Sequence, residues 1–151
     1  MSTTKSSYLP GDSMTEFEKE IELIEKMGLK SNPLRLEYEE KVYELRSIQE
    51  KLEAKGLTEE QIARVMHEKR REIGRQYKEA APQLFREYIY EATAAKYGDS
   101  LGPTFEMLRE RKTCKQIIES ASRPIENLDN RLTLDGFQQW YLKKKNQVPI
   151  R

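Results

Sequence analysis

Leu57-Thr-Glu-Glu-Gln-Ile-Ala-Arg64-Val-Met-His67-Glu-Lys-Arg-Arg71-Glu-Ile-Gly-Arg75-Gln-Tyr-Lys78 is the stretch on which the fold turns. Thr58 and Gln61 have capping-box spacing: the hydroxyl accepts from a free backbone N–H and the amide three residues on reaches back. Behind them Ile62, Met66, Ile73 and Tyr77 return at helical intervals. At about 100° per residue, Arg64, His67, Arg71, Arg75 and Lys78 gather on the opposite side, in a sector roughly 80° wide. The stretch reads as one helix to about Lys78, with a face built for burial and a row of cations.

Cap and stripe recur on both sides of it. Ser13 with Glu16 predicts a helix to about Met27, carrying Met14, Phe17, Ile21 and Ile24 and stopped by Gly28. Asn32-Pro33 opens a helix to about Lys55, with Tyr38, Val42, Leu45, Ile48 and Leu52 on one face. Pro82 starts the next, to Tyr97-Gly98, and its Leu84, Phe85, Tyr88 and Ile89 are expected to bury against Ile62, Met66 and Ile73. Pro103 begins a short helix with Thr104 just inside it, and Thr113 with Gln116 caps another before Ile117 and Ile118. Leu134, Phe137 and Tyr141 mark a last short helix, and Lys143-Lys144-Lys145 leads into a tail. Neither an internal repeat nor strand-like alternation is visible. The fold class is all-α: an irregular multi-helix bundle with one long N-terminal helix at about 33–55. Its segments are a disordered lead-in (1–12), an N-terminal helical hairpin (13–55), a helical module (56–145) and a frayed tail (146–151).

Composition bounds the chemistry. Hydrophobic residues make up 36% and charged residues 35% of the 151, which suits slender helices with wide solvated faces. With 27 Lys+Arg against 26 Asp+Glu, no global attraction to nucleic acid is implied, and any such contact needs a local patch. Cys114 is the only cysteine and His67 the only histidine, so an intrachain disulfide and a Cys/His metal set are excluded by counting. Walker, GxSxG and dinucleotide motifs are missing, and no cofactor is expected. The first residues lack the apolar core of a signal peptide, and no apolar run approaches the length of a membrane span. The expected location is the cytoplasm, or a target cell reached without an N-terminal signal peptide.

Three groups of residues carry candidate chemistry. The cationic row of Arg64, Arg71, Arg75 and Lys78 is either a solvated face of i,i+4 pairs or a phosphate-binding edge, since the planar guanidinium grips phosphate with two bonds. His67 is either an ordinary surface histidine or a general acid or base, with Glu68, Tyr97 and Asp99 as candidate second proton-transfer groups. Tyr97-Gly-Asp-Ser-Leu-Gly-Pro-Thr104 is either a plain connector or a loop that projects Asp99 and Thr104 beside the row. Cys114 sits near a helix start but has no evident base, and reads as a plain cysteine.

From about Gly56 to Lys144 the chain resembles a helical module found at the C-termini of bacterial polymorphic toxins. The matching runs are Leu57–Arg64, His67–Arg75, Tyr97–Thr104, Ile117–Pro124, and Gly136-Phe with Trp140, in matching order. Where that pattern has a Gly-rich or Lys-Ser stretch, this chain has Lys112-Thr-Cys114, and residues 1–55 carry no matching run. The resemblance implies a toxin-associated setting, interbacterial competition and a cognate immunity protein as partner. Joined to the residues, it gives the expectation of a toxin-type effector domain acting on nucleic acid as a metal-independent nuclease. The alternatives are a non-catalytic helical protein–protein interaction module, and an immunity- or inhibitor-like protein. The partners to match are nucleic acid or an acidic protein surface.

Overall fold

The computed structural model describes residues 15–124 and 134–146. Among them the chain forms seven helices and no strand. In order these are α1 (Glu16–Met27), α2 (Pro33–Ala54), α3 (Glu59–Glu79), α4 (Gln83–Tyr97), α5 (Phe105–Arg109), α6 (Cys114–Ala121) and α7 (Leu134–Asn146). The long helix is the second, with 22 residues, and follows a first helix of 12.

Side-chain caps set most helix starts. Thr58 with Gln61 and Thr113 with Gln116 form the reciprocal boxes that their spacing predicts. At α1 the pair in use is Thr15 with Glu18, not Ser13 with Glu16. Both pairs have the spacing, and the later one sets Glu16 and Glu18 in the first turn, where the helix dipole favours carboxylates. Ser13 and Met14, like the lead-in at 1–12 and residues 147–151, lie outside the described residues. At α5 the cap is Thr104 itself, so Pro103 stands before the helix rather than at its start. Lys143, Lys144 and Lys145 belong to the last turn of α7, beside its carbonyl end, and precede the tail.

Packing divides into two apolar clusters. The first gathers Leu45 of α2, Ile62, Ala63 and Met66 of α3, Phe105 of α5, and Ile117 and Ile118 of α6. The second gathers Ile24 and Met27 of α1, Phe85 and Ile89 of α4, and Phe137 of α7. This corrects the expected pairing of α4 with Ile62, Met66 and Ile73. α2 and α6 already cover that face of α3, and α4 turns its own apolar face to α1 and α7. Residues 16–54 therefore serve both clusters: α1 packs on α4, and α2 lies along α3.

Polar groups tie the helices around the second cluster together. Tyr77 stacks on Tyr38 with ring centroids 4.5 Å apart and donates its hydroxyl to the Met27 carbonyl at 2.9 Å. Arg35, 1% exposed, donates from Nε to Glu39 at 2.9 Å. Pro82 has no side chain with which to cap α4, and a buried carboxylate from α1 takes over: Glu20 Oε1 accepts the Phe85 N–H at 3.0 Å.

Candidate functional site

The helical phase predicted for α3 puts Arg64, His67 and Arg71 along one edge, and the α4–α5 connection lies against that edge. Arg64 reaches Glu106 at 2.6 Å and lies over the Phe105 ring at 4.4 Å. His67 Nε2 sits 2.7 Å from the Pro103 carbonyl oxygen. Arg71 reaches Asp99 at 2.5 Å. The row climbs through 64, 67 and 71 while its partners descend through 106, 103 and 99, so the connection runs antiparallel to the helix, one contact per turn. α3 and the segment from Asp99 to Glu106 are the two sides of this seam.

The connection is shaped to make these contacts. Gly98 ends α4 in the left-handed region, at φ 75°, and Gly102 has φ 102°, both conformations that cost a side chain strain. Asp99 Oδ1 also accepts the Leu101 N–H at 2.7 Å, which fixes the carboxylate facing Arg71. The Leu101 N–H first and the Arg71 guanidinium next hold the Asp99 carboxyl below its ordinary range.

His67 is 8% exposed, which corrects its expectation as a surface histidine. A carbonyl only accepts, so Nε2 carries the hydrogen and the neutral ring is the Nε2–H tautomer. Burial pushes its pKa down; the Pro103 bond opposes this, and Arg71 adds to it. The ring is thus held neutral and spends its donor on the fold. Glu68 is exposed, 3.8 Å from Arg71. Tyr97 ends α4, with the Lys96 ammonium 5.3 Å from its ring. The structure brings Asp99 to the row through Arg71 and His67 to the loop through Pro103.

The rest of the row is also engaged. Arg75 binds Glu72 and, at 2.5 Å, Glu79, and these two hydrogen bonds raise its pKa. The Lys78 ammonium lies 5.8 Å from the Tyr90 ring. Two hollows mark the surface. One is open, about 610 Å³, beside Leu57, Gln61 and Arg64; the other is about 90 Å³, between α2 and α3 beside Leu34, Tyr38 and Tyr77. Neither is lined by His67, Tyr97 or Asp99. Cys114 is buried in the first cluster. Among the described residues no group of three or more His, Cys, Asp and Glu is placed to hold a metal ion, and no helix is long and apolar enough to cross a membrane.

Two surface features went unread in the sequence. Leu36 and Tyr43 are 53% and 48% exposed on α2, seven residues apart and so on one line of the helix, opposite buried Tyr38, Val42 and Leu45. At the α5–α6 junction, Arg109, Arg111, Lys112 and Lys115 are all exposed. The first had a signal in the second apolar line of α2, and the second in four cations against one acid over residues 109–115.

Compared with known proteins, the chain matches no family model, no curated protein and no solved structure.

Proposed function

We propose that this chain is a non-catalytic helical interaction module of a toxin-type system, which holds a protein partner on the outer face of α2. The observation that carries this reading is the outward line of Leu36 and Tyr43, flanked by exposed Glu37, Glu40, Glu44 and Glu50, with Lys41 near Glu37 and the Arg46 guanidinium over the Tyr43 ring as the cations on that side. Large apolar side chains set in a polar rim are the usual make-up of a docking strip. The acids select an occupant: an amphipathic helix with an apolar stripe flanked by Lys and Arg, laid along about three to four turns of α2. A cognate immunity protein carrying such a helix fits the setting that the resemblance implies. The nuclease alternative asks the row to hold phosphate and His67 to move a proton, and both are committed to contacts within the fold.

The test is expression of the parent and of a Leu36→Asp/Tyr43→Asp variant in a bacterium. Growth, total RNA and DNA on a gel, and affinity purification are read together. Nucleic acid should stay intact. A partner with a basic amphipathic helix should copurify in stoichiometric amount with the parent and be lost from the variant, while both share one circular dichroism spectrum. Degraded nucleic acid, or a partner retained equally by the variant, overturns the reading.

A further inference from the structure

Two groups of cations contrast among the described residues. Arg64, Arg71 and Arg75 each meet a carboxylate at 2.6 Å or less. Arg111, Lys112 and Lys115 are exposed, and no carboxylate among the described residues pairs with them. Arg109, also exposed, donates to the Lys112 carbonyl at 3.0 Å, which draws the turn between α5 and α6 together and fixes where these side chains start. The nearby acids are largely taken: Glu106 is held by Arg64, and Glu119 lies 3.9 Å from Arg123. Only Glu110 interrupts the run.

From this we infer that the α5–α6 junction is a phosphate-contacting surface for nucleic acid, and that Arg111, Lys112 and Lys115 make the contacts. Three exposed cations within five residues, none paired with a carboxylate among the described residues, suit a strand of closely spaced phosphates, whose condensed counterions they release on binding. An anionic membrane would present the same charge, but a helical segment lying on a membrane also needs exposed apolar side chains. The large exposed ones, Leu23, Leu29, Leu34, Leu36, Tyr43 and Leu142, all lie outside residues 105–124. With no aromatic side chain in residues 106–124, the contact reads backbone charge and not base sequence. The surface is separate from the α2 face, so it stands or falls independently of the partner proposed there.

Fluorescence anisotropy with a labelled DNA duplex tests it, comparing the parent with Arg111→Gln/Lys112→Gln/Lys115→Gln. Arg109 is left in place because it holds the turn. For three phosphate contacts, parent affinity should fall about 40-fold between 50 and 200 mM salt. The triple variant should bind at least ~10-fold more weakly at the lower salt, with most of the salt dependence gone. Its circular dichroism and melting temperature should match the parent's, because the three side chains are exposed. The Leu36→Asp/Tyr43→Asp protein should bind the duplex like the parent. The inference is overturned if the parent shows no binding at 50 mM salt, if the triple variant binds equally well, or if phosphatidylglycerol vesicles bind the parent while the duplex does not.

Discussion

Arg64 and Arg71 on α3 and Arg111 and Lys112 past α5 are the same kind of residue in two different situations. Each of the first pair faces a carboxylate from a distant part of the chain, 42 and 28 residues away. The second pair is exposed, with no carboxylate among the described residues paired to it. In the sequence the α3 row is the more conspicuous, because its cations share one helical edge. That regularity is what lets another backbone lie along them, turn by turn. A periodic line of charge on a helix is as well suited to an internal partner as to a ligand, and here the 98–106 segment lies along the edge for which the sequence left a solvated face and a phosphate contact both open. The irregular run at 109–115 has no such match among the described residues, where its cations are exposed.

The strongest way to break this comparison is to remove what lies under the row. Phe105 is 1% exposed, sits in the first cluster and carries the Arg64 guanidinium on its ring. Phe105→Ala should cost about 3–5 kcal/mol in denaturant unfolding, as buried Phe truncations do. A loss under ~1 kcal/mol would mean that α5 is loosely attached and that the row is available to a ligand after all.

A smaller effect sharpens the comparison. Arg71→Gln and Asp99→Asn, alone and together, measure whether the seam contact holds the fold. Asn keeps the oxygen that accepts from Leu101, so only the ion pair is lost. The side chains are 13% and 31% exposed, which leaves the pair only partly screened. A coupling of about 1–2 kcal/mol is expected from the double-mutant cycle. Coupling near zero would make Arg71 as uncommitted as Lys112.

How much of this was legible follows the range of the interactions. Thr58, Thr113 and Gly98 act on residues within four positions, and their roles could be read from spacing alone. The phase of α3 was legible too, because Ile62 and Met66 set it locally. What covers each face was not. Nothing near Pro82 announces that Glu20, 65 residues before Phe85, caps α4. Nothing near His67 announces the Pro103 carbonyl 36 residues on. The shared edge of Arg64, His67 and Arg71 was therefore legible, and the burial of His67 and Arg71 was not, since burial depends on which distant segment arrives there.

The smallest effect is the pH dependence of His67, and it isolates one contact of the seam. Its folded pKa lies below the 6.5 of a free imidazole, so between the two values the unfolded chain binds more protons than the folded one. Stability from this group is complete above pH 6.5, falls as the pH drops below it, and is gone once the folded imidazole is itself protonated. Burial is the main cause, the Pro103 bond opposes it, and among the charges around the ring Arg71 and Arg70 oppose protonation while Glu68 favours it. Asp99 and Glu106 are depressed as well, below 3.8 and 4.5, so their losses come at lower pH and form a separate stage. Denaturant midpoints measured from pH 6.5 down to 4.5 should decline in the parent. In His67→Gln, whose amide can still donate to the Pro103 carbonyl, the decline between pH 6.5 and about 5.5 should be lost, while the fall at lower pH from the depressed Glu72, Glu91, Glu106 and Asp99 remains. A parent profile that is already flat there would mean the imidazole is as well solvated as Lys112, and the middle contact of the seam would have to be abandoned.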